Sequence, residues 1–313
     1  MLKQRFFDVY CNDWKKNKSE KVRELPNCHF FVTFARCCTN LIKYTLFMNG
    51  SSPHTLHLRI SPLGLTFAHY EPETGFAFRF QTHVVAPTTS LAINVRNILS
   101  KEPLAQQTYK RVHVSVHTPY TLVPLNDFLE EDCHTIYQYN MADSEQKKVF
   151  YDTIPSQNTV LLFGLHENVC RQVEEHFGTV LYSNTMTSVL THFAEKGRCG
   201  MGRRLYAYLH DKEMDVTAFD GGRLLLANTF PICSEADATY YLLFIFKQVG
   251  WNAVEDEIYL AGDTSIRNRL APELHRYVQQ VCPITPSAEY NRHPVTQQEG
   301  IPYDMITKLL QTF

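Results

Sequence analysis

From residue 55 onward the apolar and polar positions fall into short, regular runs. Thr55-Leu56-His57-Leu58-Arg59-Ile60 alternates with the two-residue period of a strand. Residues 63–69 predict a second strand and residues 75–80 begin a third. Pro62-Leu63-Gly64 and Pro72-Glu73-Thr74-Gly75 supply the turns, proline through its fixed φ and glycine through its permissive backbone. This is an antiparallel meander. Thr88-Thr89-Ser90 then caps a helix to about residue 101, with Leu91, Ile93, Val95, Ile98 and Leu99 at its apolar positions. A strand over 112–116 and a helix over 126–139, after Pro124, complete the run.

Next come predicted strands at 148–154 and 160–165, a helix at 167–177, a strand at 179–182 and a helix at 186–196. Gly197, Gly200 and Gly202 then crowd into six residues and mark a domain boundary. Beyond it the opening pattern recurs. Strands are predicted at 205–210, 214–219 and 223–229, with Asp220-Gly221-Gly222 as a tight turn that needs positive φ. Ser234 caps a helix over 238–249, with Glu235 and Asp237 at its positive end. A strand at 257–261, a helix at 266–281, a strand at 282–284 and a last helix at 303–310 follow. Three strands, helix, strand, helix therefore occurs twice, at 55–139 and 205–284. The pattern predicts a duplicated α/β fold with mixed sheets, divided into domains 51–199 and 200–313, with residues 1–50 set apart.

Twin β-β-β-α-β-α modules around a cleft resemble the actin-like ATPase superfamily, whose core is ribonuclease-H-like. The run Met214-Asp215-Val216-Thr217-Ala218-Phe219-Asp220-Gly221-Gly222-Arg223-Leu224-Leu225 carries the local likeness. It resembles the second-domain hairpin of cytoplasmic actin-like pilus-assembly and type II secretion proteins. Over about residues 54–285 the chain is similar to an uncharacterised Bacteroidetes family of this fold.

Composition narrows the classes. The chain is 44% hydrophobic and 20% charged with 13 Gly and 15 Pro, which excludes collagen-like, low-complexity and wholly disordered proteins. Thirty basic against 32 acidic residues give −2, so no basic field points to nucleic acid or acidic lipid. Residues 1–50 differ: they hold 9 basic and 4 acidic residues and four of the nine cysteines. Two readings stay open, an appendage produced by a start upstream of Met48 and a basic docking arm for an acidic partner. An odd cysteine count without metal-like spacing predicts reduced thiols; Cys37 and Cys38 are adjacent, a poor clamp without a second pair. Lys3, Arg5, Asp8 and Asp13 break any signal-peptide pattern. Arg36, Asn40 and Lys43 interrupt the apolar stretch 29–48, which leaves a surface-lying amphipathic helix as the alternative to no membrane contact. A cytoplasmic location is expected.

The resemblance implies a nucleotide site built from two hairpin turns whose N–H groups hold phosphate, a carboxylate near each, and a glycine pair against adenosine. The first turn reads Arg59-Ile60-Ser61-Pro62-Leu63-Gly64: it offers no carboxylate, and Pro62 has no N–H. Arg59 could touch phosphate, but an arginine in an alternating strand is expected in solvent. In the second turn, His210-Asp211-Lys212, the carboxylate of Asp211 lies past the strand without a neighbouring glycine. At the adenosine place, Gly262 keeps one glycine and Asp263 replaces the other, in a run that also reads as a helix N-cap.

The expectation is a catalytically degenerate binding or scaffold protein, with an unidentified protein partner and neither catalytic residues, metal ligands nor cofactor. The alternative is a divergent ATP-binding protein or ATPase that uses Ser61, Gly64, Asp211, Gly262 and Asp263 with Mg²⁺. A ribonuclease-H-type nuclease is not expected, since residues 55–60 carry no carboxylate. His113 and His117 share a strand face but lie ~13 Å apart along it, too far for one metal. His210 beside Asp211 could be an oriented base, yet no nucleophile is identifiable nearby. The run from Tyr240 to Phe246 predicts a buried helix.

Overall fold

The meander expected at residue 55 forms and sets the architecture. The computed structural model describes residues 55–71, 77–198 and 202–311. Residues 1–54, the turn at 72–75 with the next residue of the predicted third strand, the segment 199–201 at the glycine-rich boundary and residues 312–313 lie outside the described residues. Strands β1 (Thr55–Ile60), β2 (Gly64–Glu71) and β3 (Ala77–Val84) pair antiparallel. Ser90 caps α1 (Leu91–Leu99), accepting from the Ile93 N–H, and β4 (Arg111–Val116) returns parallel to β1.

The chain then departs from the expected pattern. Strand β5 (Tyr120–Pro124), which the sequence did not predict, joins β6 (Lys147–Ile154) and β7 (Thr159–His166) in a separate sheet of order β5-β7-β6. Between β5 and β6, two short 3₁₀ turns precede α2 (Cys133–Asn140), so the helix expected over 126–139 starts late. After α3 (Glu167–Phe177), β8 (Leu181–Asn184) pairs parallel with β4 and closes the first five-stranded sheet. The first copy of the repeat therefore runs to residue 184 rather than 139, because the three-stranded sheet is inserted within it. Helix α4 (Thr185–Arg198) follows directly.

The second half repeats the plan without the insertion. Strands β9 (Arg203–His210), β10 (Glu213–Asp220) and β11 (Arg223–Pro231) form the meander. Helix α5 (Glu235–Gln248) opens on a capping box in which Ser234 and Asp237 satisfy each other's backbone N–H. Strand β12 (Glu257–Gly262) pairs with β9, and β13 (Gln280–Pro283) with β12, both parallel. Between them α6 (Thr264–Leu274) stops seven residues short of the predicted end. Pro272 brings no N–H to the last turn, and the Leu274 carbonyl accepts from both Tyr277 and Val278 as the chain turns away. A single turn, α7 (Pro286–Glu289), leads toward α8 (Tyr303–Leu310). The two large sheets have matching orders, β3-β2-β1-β4-β8 and β11-β10-β9-β12-β13. That match is the duplication.

Each sheet is covered on both faces. Leu56, Leu58 and Ile60 pack in one cluster with Val95 and Leu99 of α1 and Val169 and Val173 of α3. Leu205, Ala207 and Leu209 pack with Leu242 and Phe246 of α5 and Leu270 of α6. Burying each such leucine contributes about 1.5–3 kcal/mol. The opposite face of β9 places Tyr206 and Tyr208 in the first cluster with Phe193 of α4 and Tyr303 of α8. The opposite face of β1 is polar yet buried, with Thr55, His57 and Arg59 at 3%, 6% and 4% exposure. Helices α4 and α8 meet there through Ser188, whose hydroxyl donates to the Asp304 carbonyl and bonds the Thr307 hydroxyl.

At the far end of β10, Gln157 joins the halves. Its Nε2 donates to the Gly222 carbonyl at 3.0 Å, and the Leu224 N–H donates to its Oε1 at 2.8 Å. Gly221 and Gly222 both take the positive φ that the sequence required of this turn, at 55° and 79°.

Candidate functional site

The C-terminal ends of β1, β4 and β9 converge, and they deliver Ser61, His117, His210 and Asp211 to one place. Ser61 closes the first turn: its N–H donates to the Gly64 carbonyl at 2.9 Å, and its hydroxyl accepts from the Gly64 N–H at 3.1 Å. Its hydroxyl also donates to Asp211 Oδ1 at 3.5 Å. His117 is held beside it by a 2.8 Å bond from its N–H to the Ile60 carbonyl. The second turn, Asp211-Lys212, is a two-residue hairpin loop with φ of 45° and 63°, left-handed geometry without a glycine.

Arg59 stands at the centre. It was expected in solvent, and it is instead 4% exposed. Its Nη2 donates to Asp211 Oδ2 at 2.5 Å and its Nε to Asp304 Oδ2 on α8 at 2.7 Å. The alternation of β1 gave no warning, because this fold covers both faces of the strand. Burial alone would push the guanidinium pKa down, but Asp304, Tyr208 and Asp211 drive it well above the ordinary value. Burial would likewise raise Asp211, yet the hydrogen bond from His210 and the Arg59 charge hold it well below the usual carboxylate range.

His210 links this ion pair to a second carboxylate. Its Nε2 donates to Asp215 Oδ2 at 2.6 Å and its Nδ1 to Asp211 Oδ2 at 3.3 Å. Burial opposes its charge, but those bonds win and raise its pKa to about 9. Asp215 also accepts from the Thr229 hydroxyl through Oδ1. His117 crosses from the first half to meet them. Its ring lies edge-on to that of His210, with centroids 4.5 Å apart, and its Nε2 is 2.9 Å from Glu213 Oε2.

The sequence-derived candidates divide into two groups. Ser61, Gly64 and Asp211 come together across the two turns. Gly262 and Asp263 reach the same strand end through backbone alone: Gly262 pairs with Leu209, and the Asp263 N–H donates to the Leu209 carbonyl at 2.8 Å. Gly262 has φ of 92°, and a Cβ there would run into the Leu209 carbonyl. Among the described residues, the Asp263 side chain bonds only within its own helix start, accepting from the N–H groups of Ser265 and Ile266 at 2.8 and 3.0 Å. It is the N-cap of α6. His113, by contrast, stacks on His57 at 5.3 Å and takes no part in the cluster.

Asp215 escaped the sequence reading as a site residue, and His117 was weighed only against His113. Their partners lie in the other half or on the neighbouring strand, and no local spacing connects them. Asp215 left one usable signal, an acidic residue within the apolar run of β10. The run from Tyr240 to Phe246 is only partly buried: Leu242, Ile245 and Phe246 are covered, while Tyr240 and Phe244 are exposed. Cys133, Cys170, Cys233 and Cys282 are free thiols. Among the described residues no helix is long and apolar enough to cross a membrane.

Comparison with known proteins places this geometry. A Bacteroides thetaiotaomicron VPI-5482 protein with actin-like ATPase fold and unknown function superposes with a TM-score of 0.70 at 27% identity, covering 80% of this chain and 97% of its own. The PilM-PilN type IV pilus biogenesis complex contains a chain matching at a TM-score of 0.53 and 12% identity, over 83% of this chain and 95% of that one. No curated protein matches. The fold is that of the actin-like ATPases. Its duplicated sheets carry a family profile matched over residues 45–281, and by that match the chain belongs to the DUF3822 family, proteins of unknown function.

Proposed function

We propose that this chain is a catalytically degenerate actin-like protein, a cytoplasmic binding or scaffold module for a protein partner, whose cleft takes no nucleotide. The observation that carries the reading is Arg59, buried and spanning Asp211 and Asp304. A magnesium nucleotide needs a free carboxylate and free turn amides. Here Asp211 is engaged by Arg59, His210 and Ser61, the Ser61 N–H is spent on Gly64, and Pro62 has none to give. Releasing Asp211 would leave a buried guanidinium short of a partner, a cost of about 3–5 kcal/mol for breaking a buried pair. Phosphate contacts at two turns would have to exceed that. The residues present do not fit the nucleotide. The scaffold role is an analogy to the same fold in the type IV pilus biogenesis complex, where it occurs together with a second protein.

A second reading keeps the cleft as a divergent ATP site. It is favoured by the meeting of Ser61, Gly64 and Asp211 across the two turns. One experiment separates them: thermal unfolding with and without millimolar Mg·ATP, alongside an assay for ATP hydrolysis. The scaffold reading expects no shift and no turnover. A saturable rise in Tm that is lost in Asp211→Asn overturns it, since a ligand that binds only the native state stabilises it by mass action.

A further inference from the structure

We propose that His117, His210 and Asp215 form a divalent transition-metal site of the zinc class that joins the two halves of the fold. Each offers one ligand atom, and all of these lie within 4.8 Å of one another. Tetrahedral zinc, with bonds of about 2.0–2.2 Å to nitrogen and oxygen, spaces its ligand atoms about 3.4 Å apart. Loading the ion therefore parts His210 Nε2 and Asp215 Oδ2, now hydrogen-bonded at 2.6 Å, while the widest pair draws in from up to 4.8 Å. Two imidazoles and a carboxylate suit zinc and its neighbours, and they do not suit magnesium.

The surroundings are those of a metal site. Ligating imidazoles are usually oriented by a hydrogen bond at the other ring nitrogen. His210 Nδ1 donates to Asp211 at 3.3 Å, and His117 Nδ1 faces the Thr185 hydroxyl at 3.5 Å. Both Nε2 atoms, which here bond Asp215 and Glu213, exchange those hydrogen bonds for the ion. Thr229 fixes Asp215 through its other oxygen. Glu213, 2.9 Å from His117 Nε2, supplies a fourth ligand oxygen, and its side chain is 40% exposed, which opens a route from solvent. Four carboxylates, Asp211, Asp215, Asp304 and Glu213, face one guanidinium and one imidazolium. A divalent cation halves the negative excess, because its binding also sends the His210 proton to solvent. The ligands come from both halves, His117 from the end of β4 and the others from β9 and β10, so the ion acts as a clamp. This goes beyond the scaffold reading and holds whether or not that reading does.

The test uses the full chain, stripped with chelator and titrated with Zn²⁺ by calorimetry, with X-ray absorption at the zinc edge on the loaded protein. The expected result is one equivalent bound, a raised Tm, and a shell of nitrogen and oxygen with imidazole scattering. His117→Gln and Asp215→Asn should each weaken binding at least about ten-fold. Lack of uptake at about 0.1 mM Zn²⁺, sulfur in the shell, or a folded His117→Gln that binds as tightly as the parent overturns the proposal. Should the variants fail to fold, the absorption spectrum of the unmodified protein decides: two imidazoles support the site, and fewer refute it.

Discussion

Arg59 and Asp211 sit at the ends of two different sheets, and the 2.5 Å bond between them spans the seam where the halves meet. Asp304 completes the group from α8, through the 2.7 Å bond to Arg59 Nε. Arg59→Met removes the shared cation and strands two carboxylates, one of them almost fully buried. We expect a loss of about 3–5 kcal/mol, read from urea unfolding midpoints. Adding Asp304→Asn to that variant should recover part of the loss, because one stranded charge is gone. An Arg59→Met protein as stable as the parent would show that the pair contributes nothing.

Lys212 carries a φ of 63° in the β9–β10 turn, where the backbone favours glycine. Lys212→Gly should therefore raise stability by roughly 0.5–1 kcal/mol. The same denaturation series reports it, and a destabilised variant would mean that the Lys212 side chain makes an unrecognised contribution.

The α6 start separates two kinds of loss. Asp263→Ala removes an N-cap and should cost about 1 kcal/mol. Gly262→Ala drives a Cβ into the Leu209 carbonyl from a φ of 92°. It should cost more than the cap, on the order of 3 kcal/mol or higher. Equal losses would contradict the tight approach of β12 to β9.

Acid should weaken the fold through two buried histidines. His57 and His113 stack together under α8. Burial, joined by the charge of Lys308, lowers both pKa values, that of His113 to about 4. Both are neutral when folded and titrate near the ordinary histidine value of about 6.5 when unfolded. Their stabilisation is complete above about pH 6.5 and falls as pH drops toward 4, because the unfolded chain then binds protons that the folded one refuses. Each contributes a slope of up to about 1.4 kcal/mol per pH unit in that window. His113→Gln should flatten the stability profile between pH 6.5 and 4.5, and an unchanged slope would place the acid sensitivity elsewhere.

Much of the fold could be read from period and turn chemistry. Alternation marked β1 and β4, the paired glycines marked the β10–β11 turn, and Ser234 marked the start of α5. What escaped was what depends on packing between distant segments. Tyr120–Pro124 carries no clean alternation in sequence; it becomes a strand by pairing with β7, with Tyr120 and Leu122 packed against the core. Arg59 reads as a solvent residue until α8 covers β1. His117 and His210 lie in different halves, so their meeting is written in no local spacing. Asp263, by contrast, was legible as a cap because a cap needs only its next three residues.

Gln157 has a mechanical consequence. Its carboxamide grips the β10–β11 turn, whereas Arg59 grips the β9–β10 turn; the eight residues of β10 separate the two fastenings, a span of about 25 Å at the usual rise. A beam pinned at both ends cannot swing about either one. Opening and closing of the kind that lets a cleft swallow and release a ligand would require one pin to be drawn first. If the proposed scaffold role holds, a partner would meet a stiff template, its shape settled beforehand.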